Sequence, residues 1–582
     1  MPWHFICRKT PAVIEDLADI SMTMSDDSQQ YSVVIEVASI KSFTLRVKVR
    51  SMSTIKDIDL NKINYIHIEA KSPAFLWNEL LKGFCTLKFD DSDNMQKLLP
   101  QNVEFIFGPP GTGKTTYLAK KLIIPKMHEN CEMKILVLTP TNKAADVLTR
   151  RLMSIQINNF DYKEWLIRFG GTADDYIEKC GILRDRSYNI DSLSKYVLIT
   201  TIARFPYDYY ILKDERVQLT EIDWDFIIID EASMIPIANI IYPLFKNLPE
   251  MFYIAGDPFQ IEPITSIDLW ANENIFTMTE LKSFSKPQTI PHHYRVTTLN
   301  KQYRCIPTIG EVFSRFKYDA ILEHHRKNDN RISLNIDIEF DALNLIKFPV
   351  KRYESIYRCK RLNQSNYQIY SALFTYEFVS FLAHKIAKSN PNCCESFKFG
   401  IVSPYRVQAD LISKLIERES LPEMIEITAG TIHSFQGDEC NIMFAVFNPP
   451  ESITSNSFVN RDSIINVSLS RARDYLFVIM PDEHAPGINN LEKVNLIERI
   501  MKQIMSDSSS VLKCYYSNDL EKLMFGSKTY LEDNAFTTSH QSVNVYSLPE
   551  KIYEIRSDLT AIDIQVIVVD IINNTMYNTS FL

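Results

Sequence analysis

The sequence predicts an α/β protein in which two doubly wound parallel sheets follow one another, with a small β-rich region before them and an extension after them. Short, nearly continuous apolar runs alternate with helix-like segments through residues 96–290, and the pattern returns through residues 291–505. Strands covered on both faces of a parallel sheet have this hydrophobicity, and helices connect them along the chain. A glycine-rich loop, residues 108–116, stands between the first run and the first helix-like segment.

The first 95 residues follow a different pattern. Apolar and polar side chains largely alternate through residues 31–37 and 43–49, which is the period of a strand with one buried face. We therefore predict a small β-rich accessory domain over residues 1–95.

The first α/β domain is predicted over residues 96–290. Its strands are expected at residues 103–107, 134–138, 196–200, 225–229 and 251–255. We expect a stalk or clamp inserted into the domain at about residues 151–195, a segment that starts at Arg150 and Arg151.

The second α/β domain is predicted over residues 291–505. Its clearest strands are expected at residues 399–402, 441–446 and 475–479. Residues 374–386 have a helical pattern, whereas the rest of the stretch 316–398 gives no clear one. Residues 506–582 form the C-terminal extension.

Composition and charge exclude several classes of protein. Hydrophobic residues make up 45% and charged residues 23% of the 582 residues, as in an ordinary globular protein. The net charge of −9 argues against a generally basic protein that coats nucleic acid, but it leaves a local basic channel open. None of the ten cysteines lies in a Cys-x-x-Cys pair, so neither a zinc site nor an iron–sulfur cluster is indicated. Because we see no signal peptide and no bilayer-spanning apolar run, we expect a soluble cytoplasmic protein without membrane association.

The glycine-rich loop has the spacing of a phosphate-binding loop, a glycine and four residues before Gly-Lys-Thr. In such a loop backbone N–H groups surround phosphate oxygens at the start of a helix. Lys114 is expected to reach the β- and γ-phosphates, and the hydroxyl of Thr115 to hold Mg²⁺. The predicted nucleotide-binding residues of the loop are Gly108, Pro109, Pro110, Gly111, Thr112, Gly113, Lys114, Thr115 and Thr116.

Two further segments supply polar side chains at the ends of predicted strands. Asp230 and Glu231 close an apolar run, and ligands of open α/β sheets bind at the carboxyl ends of strands. We expect Asp230 to hold Mg²⁺ and Glu231 to act as the general base that activates water. Gln260, in the segment 256–260, can donate to a γ-phosphate, although the segment alone also fits an ordinary Gly-Asp-Pro turn.

Three downstream segments complete a recognisable set. They are Asn300-Lys-Gln-Tyr-Arg304, Thr431-Ile-His-Ser-Phe-Gln-Gly-Asp-Glu439 and Asn466-Val-Ser-Leu-Ser-Arg-Ala-Arg473. In this order, after the phosphate loop and the acidic pair, they resemble the motifs of superfamily 1 helicases. The similarity is closest to the up-frameshift-like branch, which includes the nonsense-mediated-decay helicase and DNA-replication helicases, and it covers about two thirds of the chain.

The resemblance implies two tandem RecA-like domains of the AAA-type P-loop class, with ATP between them and single-stranded nucleic acid across both. Tyr303 would then stack on the base of ATP, and Gly437 and Glu439 would lie on the nucleotide side. Arg304 and Arg471 would reach the γ-phosphate from the second domain, and the alignment favours Arg471 over Arg473 as the arginine finger. The implied catalytic set is Lys114, Asp230, Glu231, Gln260, Arg304 and Arg471.

The resemblance also implies strand-binding segments at loop tips, where hydroxyl, amide and backbone N–H groups suit phosphate contacts. An aromatic ring such as that of Tyr405 can stack on a base. Each segment alone fits ordinary turn chemistry at a strand end equally well. The predicted nucleic-acid-binding residues are Thr139, Pro140, Thr141, Asn142, Thr200, Thr201, Ser403, Pro404, Tyr405, Thr431 and His433.

The chain departs from the family pattern ahead of the phosphate loop, where neither Gln96 nor Gln101 has the spacing of the usual adenine-recognition glutamine. We expect an ATP-dependent helicase or translocase that moves 5′→3′ on single-stranded DNA or RNA. The alternative is an ATP-switched clamp, or a subunit of a repair, RNA-surveillance or antiviral complex, without processive unwinding. We expect a monomer, with protein partners bound through residues 1–95 and 506–582.

Overall fold

The fold is described from a computed structural model of the chain. The residues that the structure describes are 4–9, 20–25, 29–41, 44–49, 58, 62–63, 65–70, 74–87, 102–129, 132–155, 161–172, 174–263, 273–281, 295–350, 359–362, 365–390, 396–417, 420–432, 435, 439–448, 453–454, 457–485 and 487–525. Gln96 and Gln101, together with His433 and Gly437 of the predicted site, lie outside these residues.

The N-terminal region forms a five-stranded antiparallel sheet. In the order in which they pair, its strands are His4–Lys9, Thr44–Val49, Gln30–Lys41, Ile20–Ser25 and Tyr65–Ala70. The helix Ala74–Thr86 follows, and its Phe84 ring lies 5.4 Å from the ring of Tyr242. The predicted β-rich start of the chain is therefore present.

The first large sheet has eight parallel strands. In the order in which they pair, they are Arg295–Thr298, Val103–Phe107, Met251–Gly256, Phe226–Ile229, Met133–Thr139, Lys195–Thr201, Leu166–Phe169 and Leu183–Arg184. Buried apolar side chains cover both faces of this sheet. Because all strands run the same way, the segments that leave their carboxyl ends meet at one edge.

Helices and a hairpin connect the strands of the first sheet. The helices are Lys114–Tyr117, continued by a π-helical turn at Leu118–Ile123 and by Ile124–Glu129, then Asn142–Met153, Asp175–Lys179, Ile237–Asn247 and Ile275–Met278. The strands Tyr209–Leu212 and Glu215–Gln218 pair as an antiparallel hairpin.

The first sheet extends beyond the region expected from the sequence. Arg295–Thr298 pairs with Val103–Phe107, although the predicted boundary after residue 290 assigned it to the second domain. Leu166–Phe169 and Leu183–Arg184 also join the sheet. The part of the predicted stalk or clamp that lies between residues 166 and 184 thus extends the main sheet.

The second sheet has six parallel strands. In the order in which they pair, they are Ile425–Gly430, Phe397–Val402, Cys440–Val446, Ala472–Pro481, Leu343–Phe348 and Lys513–Tyr516. The helices around it are Pro307–Lys317, Ile369–Ser389, Arg406–Ile416, Asp462–Leu469, Glu492–Asp507 and Ser517–Phe525. Two small strand pairs join Lys301–Gln302 to Glu323–His324 and Lys360–Leu362 to Ser365–Tyr367.

These sheets confirm the predicted fold class of two doubly wound parallel α/β units in tandem. Below, the first unit denotes residues 102–298 and the second unit residues 301–525. The two units share a hydrophobic cluster, in which Phe107 and Ile261 of the first pack with Ile309 and Tyr318 of the second. In the described residues no helix is both long and apolar enough to cross a membrane.

Candidate nucleotide site between the two units

The glycine-rich loop leaves the strand Val103–Phe107 and ends at the helix that begins at Lys114. Gly111 and Gly113 have φ angles of 74° and 80°, in the left-handed region that other residues disfavour. A Cβ atom on Gly108 would lie 2.2 Å from Cγ of Lys114, so the side chain and the loop need a glycine there. The loop therefore turns as a phosphate cradle requires, next to the positive end of a helix.

Lys114 lies over this loop and is 8% exposed. Its Nζ donates to the carbonyl oxygen of Gly108 at 3.0 Å and lies 3.8 Å from Oε1 of Glu231. The ammonium group thus stands between the loop and the acidic pair, where a phosphate chain needs a positive charge.

The remaining loop side chains divide into two groups. The hydroxyl of Thr112 donates to the carbonyl oxygen of Pro109 at 2.7 Å, and therefore stabilises the turn. Pro109 and Pro110 are buried, whereas Thr115 and Thr116 are half-buried. The half-buried threonines have the exposure that a ligand contact requires.

Asp230 and Glu231 follow the strand Phe226–Ile229 at the same edge of the sheet. Burial, and then the charge of Glu231, raises the pKa of Asp230 to about 7 against the opposing effect of Lys114. Oε2 of Glu231 is buried, and in the part of the chain that the structure describes it accepts no hydrogen bond. The buried carboxylate of Asp230, next to a second carboxylate, fits a hard divalent cation, which prefers oxygen ligands, so the residues here fit Mg²⁺.

Gln260 follows the strand Met251–Gly256, which pairs with the strand that leads into the acidic pair, and it is 6% exposed. Its Nε2 donates to Oδ2 of Asp257 at 3.0 Å, which fixes the orientation of the amide. The N–H of Gly108 donates to the carbonyl oxygen of Gly256 at 3.0 Å, so this segment and the phosphate loop are directly connected. The sequence predicted Gln260 here but gave Asp257 no role.

A segment from the second unit packs on the phosphate loop. The N–H of Tyr303 donates to the carbonyl oxygen of Gly111 at 2.8 Å. A Cβ atom on Gly111 would lie 2.8 Å from Cβ of Arg304, so the glycine is needed for this approach. The nucleotide site is thus built from both units.

Gln302 holds this segment in shape and is fully buried. Its Oε1 accepts from the N–H groups of Arg304 and Cys305 at 3.0 and 2.9 Å. Its Nε2 donates to the carbonyl oxygen of Cys305 at 2.9 Å and lies 2.8 Å from Nδ1 of His324. The sequence gave Gln302 no role, although it stands directly before Tyr303 and Arg304.

The predicted arginines form a charged cluster with Glu439. Nε of Arg304 lies 2.9 Å from Oε1 of Glu439, and its Nη1 donates to the carbonyl oxygen of Ser470 at 2.8 Å. Burial opposes ionisation of Glu439, but Arg304, Arg473 and Arg471 together lower its pKa below the usual value. Arg471 is 4% exposed. The structure therefore brings together Arg304, Glu439 and Arg471, and their roles at a nucleotide stay a prediction.

Arg326 is a functional candidate that the sequence did not reveal. Its Nη1 donates to the carbonyl oxygens of Arg304 and Arg473 at 2.8 and 3.2 Å, and its Nη2 to Oδ1 of Asp474 at 2.6 Å. The Arg326 side chain thus fixes the backbone at Arg304 and at Arg473. No local motif marks Arg326, because its partners are distant in sequence.

Tyr303 has an exposed ring on the phosphate-loop side of the second unit. The residue is 51% exposed, and its ring centroid lies 4.8 Å from that of His325. An exposed ring next to the loop has the position that base stacking requires. This assignment stays a prediction.

The predicted strand-binding residues of the first unit lie at the carboxyl ends of its strands, but several are engaged internally. Thr139 is fully buried and its hydroxyl donates to the carbonyl oxygen of Thr141 at 3.0 Å. Thr141 caps the helix Asn142–Met153 by accepting from the N–H of Ala144. Oδ1 of Asn142 accepts from Arg168 at 3.0 Å.

The other residues of this set in the first unit differ in exposure. Pro140 is half-buried. Thr201 is 9% exposed, and Oγ1 of the fully buried Thr200 makes no hydrogen bond. Their contact with nucleic acid stays a prediction.

The predicted strand-binding residues of the second unit are also largely buried. Ser403 is fully buried, with its Oγ 3.2 Å from Oδ1 of Asn448, and Pro404 is buried. Tyr405 is 7% exposed and its ring packs 6.2 Å from that of Phe458. In this structure the Tyr405 side chain is therefore largely buried. Thr431 follows the strand Ile425–Gly430 and is half-buried.

Comparison with known protein families also separates the site residues of the first unit from those of the second. Two protein-family models, both described as an AAA domain, match residues 92–266 and 279–483. The first match contains the phosphate loop, the acidic pair and Gln260. The second contains Tyr303, Arg304 and Arg471.

Several curated relatives of the chain are named as helicases. The putative helicase MOV-10 of Gallus gallus is 24% identical over 421 residues, which cover 64% of this chain and 42% of the relative. The DNA polymerase alpha-associated DNA helicase A of Saccharomyces cerevisiae is 23% identical over 460 residues, 69% of this chain and 66% of the relative.

A third relative combines two activities in its name. The DNA replication ATP-dependent helicase/nuclease dna2 of Schizosaccharomyces pombe is 23% identical over 434 residues, 69% of this chain and 28% of the relative. The chain thus spans less than half of the MOV-10 and dna2 proteins and just under two thirds of helicase A.

Proposed function

We propose that this chain, which is a superfamily 1 helicase of the up-frameshift-like branch, hydrolyses ATP when single-stranded nucleic acid is bound and uses the cycle to move along the strand. The observation that carries the proposal is the contact of Tyr303 and Arg304 with Gly111 of the phosphate loop. Because the phosphate loop and the arginines belong to different units, hydrolysis depends on how closely the units approach.

The residues of the first unit hold the nucleotide. The loop N–H groups and Lys114 bind the phosphates, while Thr115 and Asp230 would hold Mg²⁺, which would neutralise phosphate charge. Glu231 accepts a proton from the attacking water, and its buried, unsatisfied Oε2 is available for that contact. Gln260 donates to the γ-phosphate while Asp257 keeps its amide in place.

The residues of the second unit act when the units close. Arg471 and Arg304 stabilise the charge that develops on the transferred phosphoryl group, a contribution of about 10³–10⁵ in rate for an arginine finger. Glu439 holds Arg304 in position. Because hydrolysis and product release remove the charge that holds the units together, the cleft reopens, and alternating closure moves the protein along a strand.

The test is ATP hydrolysis with and without single-stranded DNA or RNA. We expect a strand of at least one type to stimulate hydrolysis, and Lys114→Ala to abolish it, because the phosphates lose their cation. Lys62→Ala, at an exposed lysine outside both units, is the matched control. Hydrolysis that no strand stimulates would contradict the proposal.

Movement has a separate test. Duplexes with a 5′ or a 3′ single-stranded tail should be unwound from the 5′ tail only, since we propose 5′→3′ movement. Strand-stimulated hydrolysis without unwinding of either duplex would instead support the ATP-switched clamp. Unwinding from the 3′ tail would reverse the proposed polarity.

A further inference from the structure

A buried chain of hydrogen bonds joins the two units behind the nucleotide site. Its centre is Asp257, which is fully buried in the first unit. Oδ2 of Asp257 accepts from Nε2 of Gln260 at 3.0 Å, and Oδ1 accepts from the N–H of Phe259 at 3.0 Å. A third donor comes from the second unit, where the hydroxyl of Tyr318 donates to Oδ2 at 2.6 Å.

Asn466 continues this chain in the second unit. Its Nδ2 donates to the hydroxyl of Tyr318 at 2.7 Å and to the carbonyl oxygen of Phe259 at 2.9 Å. Since the carbonyl oxygen can only accept, the amide has one orientation, and the Tyr318 proton is left to point at Asp257. The chain therefore runs in one direction, from Asn466 through Tyr318 to Oδ2 of Asp257.

The ends of this chain are the two halves of the catalytic site. Asn466 lies on the helix Asp462–Leu469, and its carbonyl oxygen accepts from the N–H of Ser470, directly before Arg471. At the other end Gln260 is the residue assigned to the γ-phosphate. The charge of Lys114 acts on Asp257 and that of Arg471 acts on Tyr318, so the chain lies between the lysine and the arginine.

The ring of Tyr318 packs against aromatic rings of both units. Its centroid lies 6.3 Å from that of Phe107, the last residue before the phosphate loop, and 5.5 Å from that of Phe259. On its own side it lies 6.4 Å from the ring of Phe313. Because these contacts use the ring alone, replacement by phenylalanine removes only the hydroxyl.

We propose that Tyr318 is a positioning residue that couples the γ-phosphate contact of Gln260 to the arrival of Arg471. The hydroxyl fixes Asp257, and Asp257 orients the Gln260 amide toward the phosphate. Through Asn466 the same hydroxyl sets the end of the helix that presents Arg471. This inference rests on the proposed ATPase function.

The first test is Tyr318→Phe, measured as ATP hydrolysis at saturating strand. We expect kcat to fall about 10- to 100-fold, within the range for a buried polar group that loses its hydrogen-bond partner. KM for ATP should change less than about threefold, since the phosphate loop is untouched. Tyr210→Phe is the matched control, because it removes an equally buried hydroxyl, 2.8 Å from that of Tyr196, within the first unit.

The control separates coupling from stability. Both variants lose one buried hydroxyl, so their thermal midpoints should fall by similar amounts, but only Tyr318→Phe should lose kcat. A Tyr318→Phe enzyme within twofold of wild-type kcat would overturn the proposal. A wild-type protein without strand-stimulated hydrolysis would contradict the proposed ATPase function itself. A defect in the coupling alone would leave that stimulation intact in the wild type.

The second test combines Tyr318→Phe with Gln260→Ala. If the hydroxyl acts through Gln260, the double variant should be about as slow as Gln260→Ala alone, because the amide to be positioned is gone. If the two reductions in kcat multiply instead, Tyr318 acts independently of Gln260 and the coupling is refuted.

Discussion

At the scale of the residue, Glu231 has the environment that a general base needs. Its Oε2 is buried without a hydrogen bond, while its Oε1 lies 3.8 Å from Nζ of Lys114. Asp230, directly before it, is more deeply buried, and the two carboxylates therefore have different surroundings. We assign the cation to Asp230 and the attacking water to Glu231.

Glu231→Gln should keep ATP and strand binding but slow hydrolysis about 10²- to 10⁴-fold, because the amide cannot accept the proton from water. The measurement is single-turnover hydrolysis beside equilibrium binding of ATP. Glu250→Gln, at an exposed glutamate before the strand Met251–Gly256, is the control. Turnover at the wild-type rate would remove Glu231 as the base.

At the scale of the element, the helix Asn142–Met153 carries two ion pairs that differ in burial. Asp146 pairs with the fully buried Arg168 at 2.8 Å, and Arg168 also donates to Asn142 at the start of the helix. Arg150, on the same helix, pairs with Asp174 and is 53% exposed. The buried pair therefore fixes the loop at which we predict a strand contact.

Asp146→Ala should destabilise the first unit by about 3–5 kcal/mol, since it leaves the Arg168 charge buried without its partner. Arg150→Ala should cost less than about 1 kcal/mol, as for other exposed pairs. Thermal and urea unfolding of the two variants measures the difference. Equal losses would show that burial of the pair does not control its contribution.

The elements of this fold differ in how well the sequence predicts them. The strand Val103–Phe107 and the phosphate loop follow from local patterns, because a buried parallel strand and a glycine turn each impose their own residues. The strand Leu343–Phe348 does not follow from a local pattern, because Asn344 and Lys347 interrupt its apolar run. Both are nevertheless buried, since Asn344 bonds to the backbone of Asp341 and Lys347 pairs with Glu498.

The residues of the candidate site also differ in whether the sequence reveals them. Lys114 and Asp230 stand in motifs whose spacing reveals them, whereas Tyr318 and Arg326 act on partners far away in the sequence. A single sequence contains no local sign of such contacts. The contact of Tyr318 joins the two units, whereas those of Arg326 join distant segments of the second unit.

At the scale of the whole molecule, the candidate site is divided between the two units. Tyr303 and Arg304 contact the phosphate loop, and Tyr318 reaches Asp257. The units are thus in contact at two places, at the phosphate loop and at Asp257, which bonds to Gln260. A change in that phosphate can therefore alter how the units approach one another, which is what movement on a strand requires.

The most direct measurement compares Arg471→Ala with wild type, in ATP affinity and in hydrolysis at saturating strand, with Arg473→Ala beside it. We expect Arg471→Ala to keep ATP affinity within about tenfold while its kcat falls about 10³-fold or more, and Arg473→Ala to retain more activity. Wild-type hydrolysis by Arg471→Ala, or loss of ATP binding with an unchanged kcat, would contradict a catalytic arginine supplied by the second unit.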